Sequence, residues 1–146
     1  MMKPASLREA LTAAVPDLAR NPEKLHIFVD EGRVVATGAR SLSFEYQYTL
    51  TMIVVDFGDS SNAIMVPLLA WLRVNQSELF FNPDLQRNGV RFEADILNHD
   101  TVDLAIKVPL TERVTVKVAD GGYQVTHQPE PVNEGDDPAS WFPPAP

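Results

Sequence analysis

From Leu42 to Val54 the chain alternates strictly. Leu42, Phe44, Tyr46, Tyr48, Leu50, Met52 and Val54 hold one parity. Ser43, Glu45, Gln47, Thr49 and Thr51 hold the other, and the rule relaxes only at Ile53 and Val55. Period-two patterning of this kind predicts a half-buried β-strand. A second run repeats it with Val102, Leu104, Ile106, Val108, Leu110, Val114, Val116 and Val118, where only Glu112 breaks the apolar side. Asp103, Lys107, Thr111, Arg113, Thr115 and Lys117 fall on the opposite face. Unbroken, each run spans roughly 45–55 Å at the usual rise of a strand. A domain of about 127 residues is only about 36 Å across. Either a bend breaks each strand, with Pro109 and Glu112 as its markers, or an end projects and packs on something else.

The remaining pattern is shorter-ranged. Ser6-Leu7-Arg8-Glu9 reads as a capping box, and Leu7, Leu11, Val15 and Leu18 follow at helical spacing. This predicts a helix from about residue 7 to 15–19, ended or kinked by Pro16. Leu25–Val29, the turn Asp30-Glu31-Gly32 and Arg33–Thr37 read as a hairpin. Ile64, Leu68, Trp71 and Leu72 form a second helical stripe with Pro67 early in it. Residues 75–88 are polar and turn-rich around Phe80-Phe81. Val90, Phe92, Ala94 and Ile96 alternate as a strand, and Asp120-Gly121-Gly122 turns the second long strand into Tyr123–Thr126. Two helices and about six antiparallel strands give an α+β class, with the helices on one face of a mostly antiparallel sheet.

Composition then narrows the reading. The 146 residues suit one domain, taken as residues 1–127, followed by a tail from residue 128 to 146 that holds six of the twelve prolines. That tail carries Glu130, Glu134, Asp136 and Asp137 and no Lys or Arg, which is half of the net charge of −8. It is expected to lack regular structure. An acidic balance argues against nucleic-acid binding, which needs clustered Lys and Arg. The chain has no cysteine, so disulfides and Cys-based metal sites are excluded. No apolar run approaches the length of a membrane helix, and the first residues lack the apolar core of a signal peptide, so a cytoplasmic setting is expected.

Chemistry is sparse. His26, His99 and His127 lie in no spaced ligand motif, and a surface or partner role outweighs a metal site for each. Asp95, Asp100 and Asp103 lack the spacing and glycine of a calcium loop. Glu93 and Asp95 share a strand face opposite Asp103 or Lys107, where exposed strand charges are commoner than acid–base pairs. There is no nucleophile elbow, P-loop or dinucleotide fingerprint. Neither catalysis nor a cofactor is expected. Tyr46 and Tyr48 belong to the core or to an interface patch. Trp141-Phe142, two aromatics in an acidic Pro-rich tail, read as a docking peptide or a plain chain end.

Several segments together are more specific. Lys3-Pro4 with Ser6-Leu7-Arg8 and Ala10-Leu11-Thr12 opens the chain, and Asn21-Pro22 and Ile27-Phe28-Val29-Asp30 follow. Ser41-Leu42-Ser43-Phe44-Glu45 leads into Tyr48-Thr49-Leu50. Val66-Pro67, Leu69-Ala70-Trp71-Leu72-Arg73 and Asn75-Gln76 make the second helix, and Leu110-Thr111-Glu112-Arg113 lies in the last long strand. Over about residues 1–128 the chain resembles the tail completion protein R family of contractile-tailed phages, also found in R-type pyocin and related tailocin clusters. The resemblance implies a structural protein of the virion or tailocin tail, assembled in the bacterial host cytoplasm. It implies a tail-terminator-like, six-fold homo-oligomeric ring that caps the tail tube and stops growth. Its expected neighbours are the tube protein, the sheath protein and a neck, head-completion or collar protein. The alternative is an assembly chaperone or small binding module that leaves before the particle matures. Candidate contact residues are Glu45, Gln47, Lys107, Glu112 and Arg113 on the long strands, and Trp141 and Phe142 in the tail. Glu112 stands out because it interrupts an apolar face; the other reading is a strand that leaves the core there and meets water.

Overall fold

The computed structural model describes residues 1–36, 38 and 40–131. Two helices, α1 (Lys3–Ala14) and α2 (Pro16–Arg20), and one 3-10 turn (Pro22–Lys24) precede β1 (Leu25–Ala36) and β2 (Phe44–Phe57). A second helical stretch follows: α3 (Asn62–Asn75), α4 (Glu78–Phe81) and α5 (Pro83–Gln86). The chain then forms β3 (Arg91–Ile96), β4 (Val102–Ala119) and β5 (Gly122–His127). The five strands make one antiparallel sheet in the order β1-β2-β4-β3, with β5 also on β4. The class is α+β, as the alternation predicts.

The core lies between one sheet face and the helices. Tyr48, Leu50, Met52 and Val54 of β2 and Leu104, Ile106, Val108 and Leu110 of β4 face Leu7, Leu11, Ile64, Leu68, Trp71 and Leu72. These are the apolar parities of the strands and the 3.6-residue stripes of the helices, so both periods bury against each other. Helix α1 starts earlier than the capping box implies. Pro4 sits in the first turn, where a missing N–H costs nothing. Ser6 is therefore inside the helix, and its Oγ accepts from Trp71 Nε1 at 3.0 Å, tying α1 to α3. Pro16 opens α2 rather than continuing α1.

The expected hairpin at residues 25–37 is instead a single strand. Asp30 pairs with Thr49 and Arg33 with Gln47, so one extra residue is accommodated as a bulge. Glu31 takes φ 52° there, the left-handed conformation that the turn-like sequence foretold without a reversal. The reversal comes after Ala36, and β2 returns along β1.

Strand β4 runs through Pro109 and Glu112 without a break. Its N–H groups alternate between edges. Val116 N–H points toward the β2 side, to Ser43 Oγ, and Thr111 N–H points the other way, to Gln76. Pro109 shares the parity of Thr111, so its missing donor faces the edge that neither β3 nor β5 covers. Because β2 begins opposite Val114, the remainder of β4 pairs with β5 alone and forms a two-stranded arm.

Candidate functional site

Two regions hold the side chains singled out by sequence. The first is the uncovered stretch of β4's edge between β3, which ends opposite Lys107, and β5, which ends opposite Val114. Helix side chains replace a strand there. Lys3 Nζ donates to Thr111 O at 2.6 Å, Gln76 Oε1 at 2.7 Å and Glu130 Oε1 at 2.9 Å, using all three of its donors. Gln76 Oε1 also accepts from Thr111 N–H at 3.1 Å, and its Nε2 donates to Thr111 Oγ1 at 3.0 Å and to Glu78. Both residues are buried, which such a charge and amide tolerate only when their hydrogen bonds are complete.

Glu112 belongs to this same cluster. It is 5% exposed, so the reading of a strand meeting water is overturned. One carboxylate oxygen accepts from Tyr48 Oη at 2.6 Å and the other from Met2 N–H at 2.7 Å. Burial, and then the Glu112 carboxylate beside it, push the Tyr48 hydroxyl far above the ordinary tyrosine range. His127 Nδ1 stands 3.6 Å from the oxygen that Met2 holds, buried and without a hydrogen bond of its own. Gln128 N–H donates to Arg113 O at 2.9 Å, so the chain leaves β5 along this edge before Glu130 meets Lys3. Glu112 holds Met2, while Arg113 O and Lys3 hold the chain at Gln128 and Glu130, so both ends of the described chain meet the middle of β4.

The second region is the sheet face turned away from the helices. Glu45 lies directly opposite Arg113, and Gln47 opposite Thr111. Gln47 accepts from Arg33 Nε at 2.7 Å and donates to Glu45 at 2.8 Å. Lys107 is exposed opposite Arg91, and Asp95 faces Asp103. Four of the strand residues chosen by sequence (Glu45, Gln47, Lys107 and Arg113) therefore share one polar face, and Glu112 lies on the other. Trp141 and Phe142 lie outside the described residues. Among the described residues no three His, Asp or Glu side chains gather as a metal site would require. No described helix is long and apolar enough to cross a membrane.

Sequence reasoning offered a strand end that projects and packs on something else, but did not name the apolar side chains such an end exposes. Val118, Tyr123 and Val125 are 79, 69 and 55% exposed, yet they continue the parity of the buried core. The helix layer stops short of them. The signal was present in the length of the second alternating run, which outlasts the helical stripes available to cover it.

A sheet covered on one face, with an apolar arm and open strand edges, defines a small α+β protein. The chain belongs to the family of the P2 phage tail completion protein R (GpR), whose family model matches residues 1–131. It is 47% identical over 131 residues to the tail completion protein R of Escherichia phage P2, covering 90% of this chain and 84% of that one. It is thus a phage tail completion protein by family, of a structural kind. No solved structure matches it.

Proposed function

We propose that this protein closes a homo-oligomeric ring of six copies on the end of a tail tube. The ring occupies the growing end, blocks further subunit addition and presents a new surface to a neck, head-completion or collar protein. Its location is then the tail of a virion or tailocin. The observation that carries the reading is the β4–β5 arm, which places Val118, Tyr123 and Val125 in solvent on the core-side face of a protein whose family completes phage tails. Contiguous exposed apolar side chains on a strand mark a contact with another protein. A ring of identical copies needs two different surfaces per subunit, and closes when rotation brings one onto the other. The polar sheet face with Glu45, Gln47, Lys107 and Arg113 supplies contacts to the tube or sheath. Trp141 and Phe142 in the acidic tail dock on sheath or neck partners.

Light scattering coupled to size exclusion, at low and high concentration, tests the stoichiometry. A species of about six chains supports the ring. A monomer that is also absent from purified tails overturns it in favour of a non-virion assembly chaperone. A monomer in solution that is found in purified tails fits a ring built only on the tube end.

A further inference from the structure

Three strands of the sheet have an edge that no other strand covers among the described residues, β1, β3 and β5. β1 pairs only with β2, and β3 pairs only with β4. The inner end of β1 is protected, because Arg8 donates to Leu25 O at 2.9 Å. Beyond the bulge every residue from Glu31 to Ala36 is exposed, and so is all of β3. Neither stretch contains a proline. Open edges of this length are templates for another strand.

We propose that the outer half of β1 in one copy pairs with β3 of the next, so that the sheet passes from subunit to subunit. This rests on the ring reading above and names its interface. The occupant is a second copy because both halves of the contact are present on one chain. Strand direction supports the match. Along β1-β2-β4-β3 every neighbour is antiparallel, so β1 and β3 run in opposite senses. A copy related by rotation about an axis inclined to the strands therefore presents its β1 antiparallel to β3; the incline supplies the shift along the strands that the outer half of β1 needs, because Arg91 lies level with Phe28 across the sheet. A two-fold partner would instead bring an edge against itself, and would leave the other edge bare.

The faces also match. On the helix side β1 offers Val34 and Ala36, and β3 offers Phe92, Ala94 and Ile96. Val34, Phe92 and Ile96 are 60, 62 and 78% exposed in the subunit. On the polar side β1 offers Arg33 and Val35, and β3 offers Arg91, Glu93 and Asp95. Asp95 stands directly opposite Asp103 within the subunit, a like-charge pair that is unfavourable in a sheet. Arg33 from a neighbour would relieve it.

The chain has no cysteine, so engineered pairs report cleanly. Val35→Cys is combined in turn with Arg91→Cys, Glu93→Cys and Asp95→Cys, which samples three registers on the polar face. Within one chain β1 and β3 are three strand spacings apart, about 14 Å, too far for a disulfide. The full-length variants are oxidised both as purified protein and in purified tails. The expected result is a denaturing-gel ladder ending at a closed covalent ring in one register. A dimer from Val35→Cys alone would mean β1 meets itself and overturns the proposal. So would the absence of any ladder from variants found in tails, which leaves the ring reading standing. Absence of the protein from tails removes both.

A second variant separates edge pairing from folding. Ala94 faces Leu104, whose parity sends its N–H toward β2, so Ala94 N–H points to the open edge. Ala94→Pro then removes an edge donor while keeping the β3–β4 ladder. Assembly is expected to fall at least tenfold with an unchanged melting curve. Assembly at the parental level would overturn the edge contact.

Discussion

At the scale of single residues, Glu112 governs stability from the middle of β4. It accepts from the Tyr48 hydroxyl and the Met2 N–H in a buried setting. Glu112→Ala strands both donors and is expected to lower stability by about 2–4 kcal/mol in denaturant unfolding. Glu112→Gln retains an acceptor and should cost less than half as much. Tyr48→Phe removes one bond and is expected to cost about 1 kcal/mol. In a double-mutant cycle the pair should prove coupled, because either change alone leaves the other group without its partner. The same contact sets an alkaline limit. The folded-state pKa of Tyr48 is raised, so its contribution is complete below the ordinary tyrosine value of 10.0 and is lost as pH rises beyond it. Unfolding midpoints measured from pH 8 to 11 should therefore fall above about pH 10. Tyr48→Phe should flatten that fall.

Among the elements, the β1 bulge makes the sharpest prediction. Glu31 has φ 52°, a conformation that glycine accepts freely and a β-branched residue resists. Glu31→Gly is expected to hold or raise stability, and Glu31→Val to lower it by about 1–2 kcal/mol, as read from denaturant midpoints. This bulge also shows where sequence reading stops. Asp30-Glu31-Gly32 has true turn chemistry, but a single residue at positive φ serves a bulge as well as a hairpin. The choice was made by β2, fourteen residues of alternating pattern that pair on both sides of the irregularity. The long strands, the α3 stripe and the strand at β3 were legible because their periods are local. The role of Ser6 was not, because its partner Trp71 lies in another helix. Glu112 was legible as an anomaly, since a carboxylate at an apolar parity demands partners. Which partners it has depends on how Met2 and Tyr48 come together, and that is a property of the packed sheet. The α4–α5 stretch was hidden by its polar composition; Phe80 and Phe81, both beside Arg73, marked it, while Leu79, its buried core residue, did not stand out.

On the scale of the whole molecule, stability and assembly occupy different ends of one sheet. The inner rows are buried under α1 and α3, and the β4–β5 arm lies beyond them. Changes on the arm should therefore leave folding intact and act on assembly. Tyr123→Lys with Val125→Lys replaces two exposed side chains, so its effect on the melting free energy is expected to stay within about 0.5 kcal/mol. If the arm is a contact of the ring, each closed ring loses that contact at every subunit, and the cost multiplies with closure. The variant should run as a stable monomer in light scattering under conditions where the parent assembles. In cells that make the particle, electron microscopy of purified tails should show tubes of uncontrolled length or tails without heads. A lysine variant that melts as the parent does, and still gives joined tails of uniform length, would remove the arm from the assembly surface.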